Sequence, residues 1–275
     1  MKRPLVSVII TTKNEEKNIE RCLESILNQT YADIEIIVVD NNSQDATCSL
    51  ASRFTRKIYN FGPERSAQRN YGAVHAHGRF LVFIDADMKL NKNVVEQCVK
   101  VAQKDSSIGG VIIPEISVSQ TFWEKVKAFE RSFYNESGDK TTDAARFFSR
   151  KAYDMVGGYD ETITGPEDWD LPEMISQKGY SIVRIKQPIY HYEHIPSYFS
   201  IIKKKYYYGI NAHRYLSKHH ISALSSKTIY FFRPVFYRQW KKLIKNPILG
   251  IGMIVLLAGE TIGGGIGYII GMVKK

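Results

Sequence analysis
The chain has 275 residues, room for one large domain or a domain with an appendage, and a globular composition apart from its 17 Tyr. Cys22, Cys48 and Cys98 are widely spaced with no CxxC pair, which excludes a disulfide framework or zinc knuckle and suits a reducing compartment. The formal net charge of +10 is uneven: residues 1–200 hold 25 Lys and Arg against 27 Asp and Glu, while residues 201–275 hold 13 against Glu260 alone.

Met1-Lys2-Arg3-Pro4 leads directly into a strand pattern, so no secretory signal is expected. Residues 5–11 form a β-branched run, after which Ile19, Leu23, Ile26 and Leu27 recur at helical spacing. A second buried strand, 33–40, ends in a carboxylate, and Asn41-Asn42-Ser43 follows as turn and helix cap. Next come a helix to about Phe54, a strand at 57–59, a helix over 64–75, and the apolar strand 80–84. A helix over 91–104 and a strand at 109–113 complete the alternation that marks a parallel α/β sheet.

Three of these strands deliver polar residues at their C-terminal ends: Thr11 and Thr12, Asp40, and Asp85 with Asp87. In a parallel sheet all three lie along one edge, where ligands of open α/β folds bind. Two carboxylates one residue apart repel unless a cation lies beside them, and a hard divalent ion carrying phosphate oxygens fits. There is no GxGxxG and no GxxxxGK[ST], so neither a Rossmann dinucleotide site nor a P-loop is indicated.

The segments VSVIITTKNEE, EIIVVDNNSQDAT, RNYGA, LVFIDAD, MVGGYDE and GPEDWDL occur in this order. Over about residues 4–195 the chain thereby resembles glycosyltransferase family 2, inverting enzymes of the nucleotide-sugar-binding GT-A fold. The resemblance implies a nucleotide-sugar donor, with Thr12, Glu15, Asp40, Arg69, Asp85 and Ala86 on the nucleotide. The family's Pro and Tyr after the first strand are absent here, which removes an aromatic partner for the base. Asp40 matches the carboxylate that accepts an N–H from the base; guanine also offers one, so UDP is favoured and GDP stays open. Asp87 would ligate Mn²⁺ or Mg²⁺, Asp85 would meet the ribose or a metal-bound water, and His191 or His194 would complete the metal site. Asp168 matches the catalytic base, with Glu167, Trp169 and Gly158 on the acceptor side. Asp160 either serves the site or closes its turn. Specificity is expected in the loops 115–120 and 137–145.

Beyond 113 the alternation stops. Residues 121–135 read as an amphipathic helix with Phe122, Trp123, Val126 and Phe129 inward. From 198 to 246, Lys and Arg interleave with Tyr, Phe and Trp, which suits a bilayer interface or single-stranded nucleic acid. The apolar run 247–273 exceeds the ~20 residues that span a bilayer, and it decides for membrane and against nucleic acid. Glu260 interrupts that run, and Gly259, Gly263, Gly267 and Gly271 form a small-residue stripe that calls for another helix. The expectation is a membrane hairpin or paired anchor that also joins a homo-oligomer.

The division expected is therefore a catalytic domain at 1–197, interfacial helices at 198–246 and a membrane segment at 247–275. The function expected is metal-dependent inverting transfer, at the cytoplasmic face of a membrane, to a lipid-linked or glycan acceptor. A polyprenyl phosphate is one such acceptor, already anionic and less dependent on Asp168. A non-catalytic binding module and a pyrophosphate-releasing nucleotidyltransferase are the rival classes.

Overall fold
The computed structural model of the chain describes residues 3–135, 138 and 144–273. Met1 and Lys2, and most of the loop 137–145 expected to carry specificity, lie outside the described residues. In chain order the elements begin with β1 (Val6–Thr12), α1 (Ile19–Leu27), β2 (Ile34–Asp40), α2 (Thr47–Ala51), β3 (Ile58–Asn60) and α3 (Arg65–Val74). They continue with β4 (Phe80–Asp85), β5 (Met88–Leu90), α4 (Val94–Ala102), β6 (Ile108–Ile112), β7 (Glu115–Ser117) and α5 (Phe122–Asn135). Next come β8 (Ala145–Ser149), α6 (Arg150–Val156), α7 (Glu167–Gln177), β9 (Ser181–Arg184) and β10 (Ile189–His191). The C-terminal helices are α8 (Tyr198–Lys218), α9 (Pro234–Arg238), α10 (Trp240–Lys245) and α11 (Pro247–Val273).

Two compact units result. The first holds Met1–Glu115, Ala144–Glu161 and Glu167–Tyr192; the second holds Ile116–Asp143, Thr162–Pro166 and Glu193–Lys275. This differs from the division expected at 197 and 246, because α5 folds with the C-terminal helices.

The first unit is built on a seven-stranded sheet of order β3-β2-β1-β4-β8-β6-β9. β1 is parallel to β2 and β4, β2 to β3, and β6 to β9, while β8 runs antiparallel between β4 and β6. Every residue of β1 is buried, as expected of a strand covered on both faces. Val8 and Ile10 face a core that includes Leu23, Val95 and Cys98; Ile9 faces another that includes Ile37, Phe83 and Tyr153. The parallel register pairs Thr12 with Asp40 and Thr11 with Asp85. The polar strand ends thus stand side by side at one edge, as the sequence requires. A small antiparallel pair, β5 with β10, sets His191 opposite Met88.

The second unit is helical, with Val126, Phe129 and Phe133 of α5, Val235 and Phe236 of α9, and Met253, Leu256 and Leu257 of α11 in its core. Phe122, expected inward, is 46% exposed: it shares the Val126–Phe133 stripe but is the first residue of α5, where cover on that face runs out. The glycine stripe of α11 meets α8 of the same chain. A Cβ at Gly259 would strike Tyr198, at Gly263 Ile202, at Gly267 the carbonyl of Tyr206 and at Gly271 that of Ile210. Both helices advance four residues per contact in the same direction, so they are parallel. The expected hairpin is replaced by a parallel pair, and the helix the stripe calls for is intramolecular.

Glu260 is also accounted for. It is buried, and Lys127 Nζ of α5 donates to its Oε1 at 2.9 Å, with Lys205 Nζ of α8 at 3.8 Å. Lys127 pairs in turn with Glu130 at 3.1 Å, and Arg233 lies 3.8 Å from Glu130. Burial would strip Lys127 of its proton, but the Glu130 and Glu260 carboxylates outweigh it and hold the ammonium charged.

Candidate active site
All the chemistry expected at the sheet edge, His194 apart, lies within the first unit. Its centre is Asp85, the last residue of β4. Thr11 Oγ1 and Arg69 Nη2 each lie 3.1 Å from Asp85 Oδ1, and Arg146 and Arg65 approach Oδ2 at 3.7 and 3.9 Å. Burial alone would raise this carboxyl, yet Arg69, Arg146 and Arg65 outweigh it and hold it far below the usual carboxylate range. Asp85 therefore organises guanidinium groups.

Arg65 and Arg69 stand four apart on α3 and share a face. That face grips two consecutive carboxylates at the start of α7. Arg65 Nη2 donates to Glu167 Oε1 at 2.8 Å, and Arg69 Nη1 donates to Asp168 Oδ1 at 2.6 Å. Arg69 is fully buried, with Tyr159 under its guanidinium at 5.0 Å; burial opposes its charge, but Asp168 and Asp85 more than restore it. Glu167 is buried, whereas the Asp168 side chain keeps 21% of its surface open. A carboxylate fixed on one oxygen and open to solvent is what a general base needs.

Two residues on, Asp87 leaves this cluster. Its Oδ1 is buried without a hydrogen-bond partner, and its Oδ2 lies 3.1 Å from His191 Nε2. Glu115 Oε2 lies 3.4 Å from His191 Nδ1. A carboxylate on one ring nitrogen with the other facing a ligand position is the usual support of a metal-binding His. Among the described residues no group of three or more His, Cys, Asp and Glu is placed to hold a metal ion by itself, so a cation here would draw further ligands from its substrate. His194 is placed otherwise: its Nδ1 lies 3.1 Å from Glu124 Oε1, in the second unit.

The remaining expected residues divide. Thr12 Oγ1 is buried and unpartnered, an open hydrogen-bonding group at the edge. Glu15 accepts from Asn18 at 2.6 Å; burial, with the charges of Asp87 and Asp85, raises its pKa. Both Asp40 oxygens accept from Ser43, from its backbone N–H at 2.8 Å and from its hydroxyl at 2.5 Å. Asp40 thus shapes its turn, with lone pairs remaining for a base. Ala86 is buried, its N–H bonded to the Thr11 carbonyl at 3.3 Å. Trp169 is half-buried. Gly158, at φ +81°, adjoins Asn70 and Tyr153, whose side-chain oxygens a Cβ would meet at 2.7 and 2.8 Å. Protein packing alone demands glycine there.

Arg65, four residues before Arg69, is expected from that spacing to share its face, whereas three contributors had no role assigned from the sequence: Glu115, Arg146 and Gln68. Arg146 donates to Glu115 at 2.8 Å while facing Asp85, and burial of its charge is offset by both carboxylates. Its signal was a charged residue opening an apolar strand, which demands a buried partner. Gln68 Nε2 ties the Thr12 and Val39 carbonyls to α3 at 3.1 and 2.7 Å.

Residues 7–159, more than half of the chain, match the model of "Glycosyl transferase family 2". The chain belongs to glycosyltransferase family 2. Among curated relatives it is 29% identical over 191 residues to a chondroitin synthase of Escherichia coli, covering 64% of this chain and 27% of that one. It is 36% identical over 97 residues to a GalNAc(5)-diNAcBac-PP-undecaprenol beta-1,3-glucosyltransferase of Campylobacter jejuni, covering 32% and 31%. The chain thus spans about a third or less of either relative. Two solved structures share the fold. A mannosyltransferase, PcManGT from Pyrobaculum calidifontis, in complex with GDP-Man and Mn²⁺, aligns over all of this chain and 77% of its own, with TM-score 0.59 and 21% identity. S. aureus TarS 1-349 in complex with UDP aligns over 98% and 92%, with TM-score 0.55 and 15% identity. The sheet is accordingly that of a GT-A fold, with the polar ends of β1, β2 and β4 along one edge.

Proposed function
We propose that the protein transfers a sugar, with inversion, from a nucleoside diphosphate sugar to a hydroxyl of a lipid-linked or glycan acceptor at a membrane. The observation that carries this is Asp168, held by Arg69 beside Asp85 while its carboxylate stays open. Asp168 takes the acceptor proton as its oxygen attacks the anomeric carbon opposite the leaving diphosphate. Arg69 fixes the base, and Arg65 holds the neighbouring carboxylate aside. Thr12, Glu15 and Asp40 border the nucleoside, with UDP favoured; the GDP-Man and UDP complexes of the two fold neighbours support a nucleotide donor.

The residues fit a divalent cation. Asp87, with its orphaned buried oxygen, and His191, backed by Glu115, would hold it, and Asp85 stays with its arginines. Bound there, Mn²⁺ or Mg²⁺ supplies Lewis-acid stabilisation of the leaving diphosphate. His194, expected as an alternative ligand, has its nearest acid in Glu124. Membrane association is read from α11, one helix long and apolar enough to cross a bilayer, and a cytoplasmic catalytic unit goes with the three free cysteines.

Asp168→Asn is the direct test. Transfer to a hydroxyl acceptor is expected to fall at least a hundredfold, with nucleotide affinity by calorimetry held within threefold. Near-normal turnover would remove Asp168 as base. For the metal, Asp87→Ala and His191→Ala should each abolish the Mn²⁺ enhancement of UDP or GDP binding, and His194→Ala should leave it intact.

A further inference from the structure
We infer that α11 does not cross the bilayer: it lies in the plane of one anionic leaflet, inserting a single apolar face. The inference rests on the membrane reading above and says which kind of association it is. The exposed large apolar side chains of α11 are Ile248, Ile251, Ile254, Val255, Ile262, Ile266, Ile269, Met272 and Val273, each between 42% and 80% open. At helical spacing they form one stripe with no charge, along a helix of 27 residues, about 40 Å at 1.5 Å per residue. Monomeric soluble proteins seldom leave so long an apolar strip to water.

The opposite face of α11 is occupied by helices that carry charged residues. Gly252 abuts Val126 of α5, and Gly259 to Gly271 abut Tyr198 to Ile210 of α8. Near mid-helix, Glu260 is bonded to Lys127 of α5. A spanning α11 would have to drag into hydrocarbon both α5, carrying Glu124, Lys125, Lys127, Glu130 and Arg131, and α8, carrying Lys203, Lys204 and Lys205. Each such charge is costly at the bilayer centre. An in-plane α11 avoids the cost, since its charged side stays outside the hydrocarbon.

Charge identifies the occupant of the apolar face. Lys241 and Lys245 are exposed immediately before α11, next to exposed Tyr237 and Trp240, and residues 201–275 carry only one acid. Lysines and amphipathic rings flanking an apolar stripe match an anionic headgroup layer. A second copy of this basic unit would meet like charge.

The test uses the full chain with Cys48→Ser, since Cys22 and Cys98 are buried. Spin labels are placed through Ile251→Cys, Ile262→Cys and Ile269→Cys, with phosphatidylcholine vesicles with and without phosphatidylglycerol. Preferential binding to the anionic vesicles, with all three labels at one shallow depth, is the expected result. Labels at 251 and 269 lie about 27 Å apart along the helix axis, so depths that deepen and then shallow between them would reveal a span and overturn the in-plane arrangement. Membrane association would survive that outcome. Failure to bind vesicles would overturn both, and a dimeric mass by light scattering would then assign the stripe to a second copy. Ile262→Glu should lower vesicle partitioning at least tenfold with UDP or GDP affinity and the melting temperature unchanged, the latter showing that the helical unit is still folded.

Discussion

Arg69 bonds two carboxylates at once, Asp85 with one guanidinium nitrogen and Asp168 with the other, while fully buried. A planar fork reaches the two from separate nitrogens in fixed geometry, whereas a lysine ammonium is a single point charge on a shorter head group. Arg69→Lys is therefore expected to lower kcat more than tenfold. Arg69→Met should cost about 3–5 kcal/mol of folding stability, read by urea denaturation, because it strands buried charge. The edge carboxylates were legible because apolar strands run straight into them, and Arg65 and Arg69 because four residues separate them on one helix. Arg146 and Glu115 were not. Their meeting depends on β8 inserting antiparallel between β4 and β6, a pairing of distant segments that no local spacing records.

At the level of elements, the first turn of α5 carries Glu124, whose carboxylate accepts the backbone N–H groups of Gln120, Thr121 and Ile195 at 2.8, 3.0 and 3.2 Å. Burial would raise this carboxyl, but those hydrogen bonds and His194 bring it to about 2 from an ordinary 4.5. A folded value below the unfolded one gives stability present above pH 4.5 and lost as the pH falls toward 2. Glu124→Gln should accordingly flatten the acid limb of a stability–pH curve in that window. For the glycine stripe, Gly263→Leu should push α11 off Ile202 of α8 and lower the melting temperature by several degrees. The stripe announced that a helix must approach closely. It gave no sign that the partner was α8 or that the pair was parallel, because small residues specify distance and leave the neighbour's identity open.

For the molecule as a whole, the second unit is assembled from three separate stretches, with α5 drawn from the middle of the sequence. The boundaries expected at 197 and 246 followed composition, which shifts at those points, whereas packing follows Val126 and Phe133 into a core with Met253 and Leu256. A chain ending before 247 would expose that core and leave Lys127 without Glu260. It is expected to aggregate or to unfold well below the intact chain in a thermal scan, even in salt-washed, membrane-free preparations. Synthesis order gives the same geometry another meaning. The ribosome releases α5 long before α11 exists, so the apolar face of α5 waits uncovered while the sheet of the first unit already has most of its strands. The helix that completes the second unit is also the one bearing the isoleucine stripe, so maturation and delivery to lipid fall at the same moment of translation.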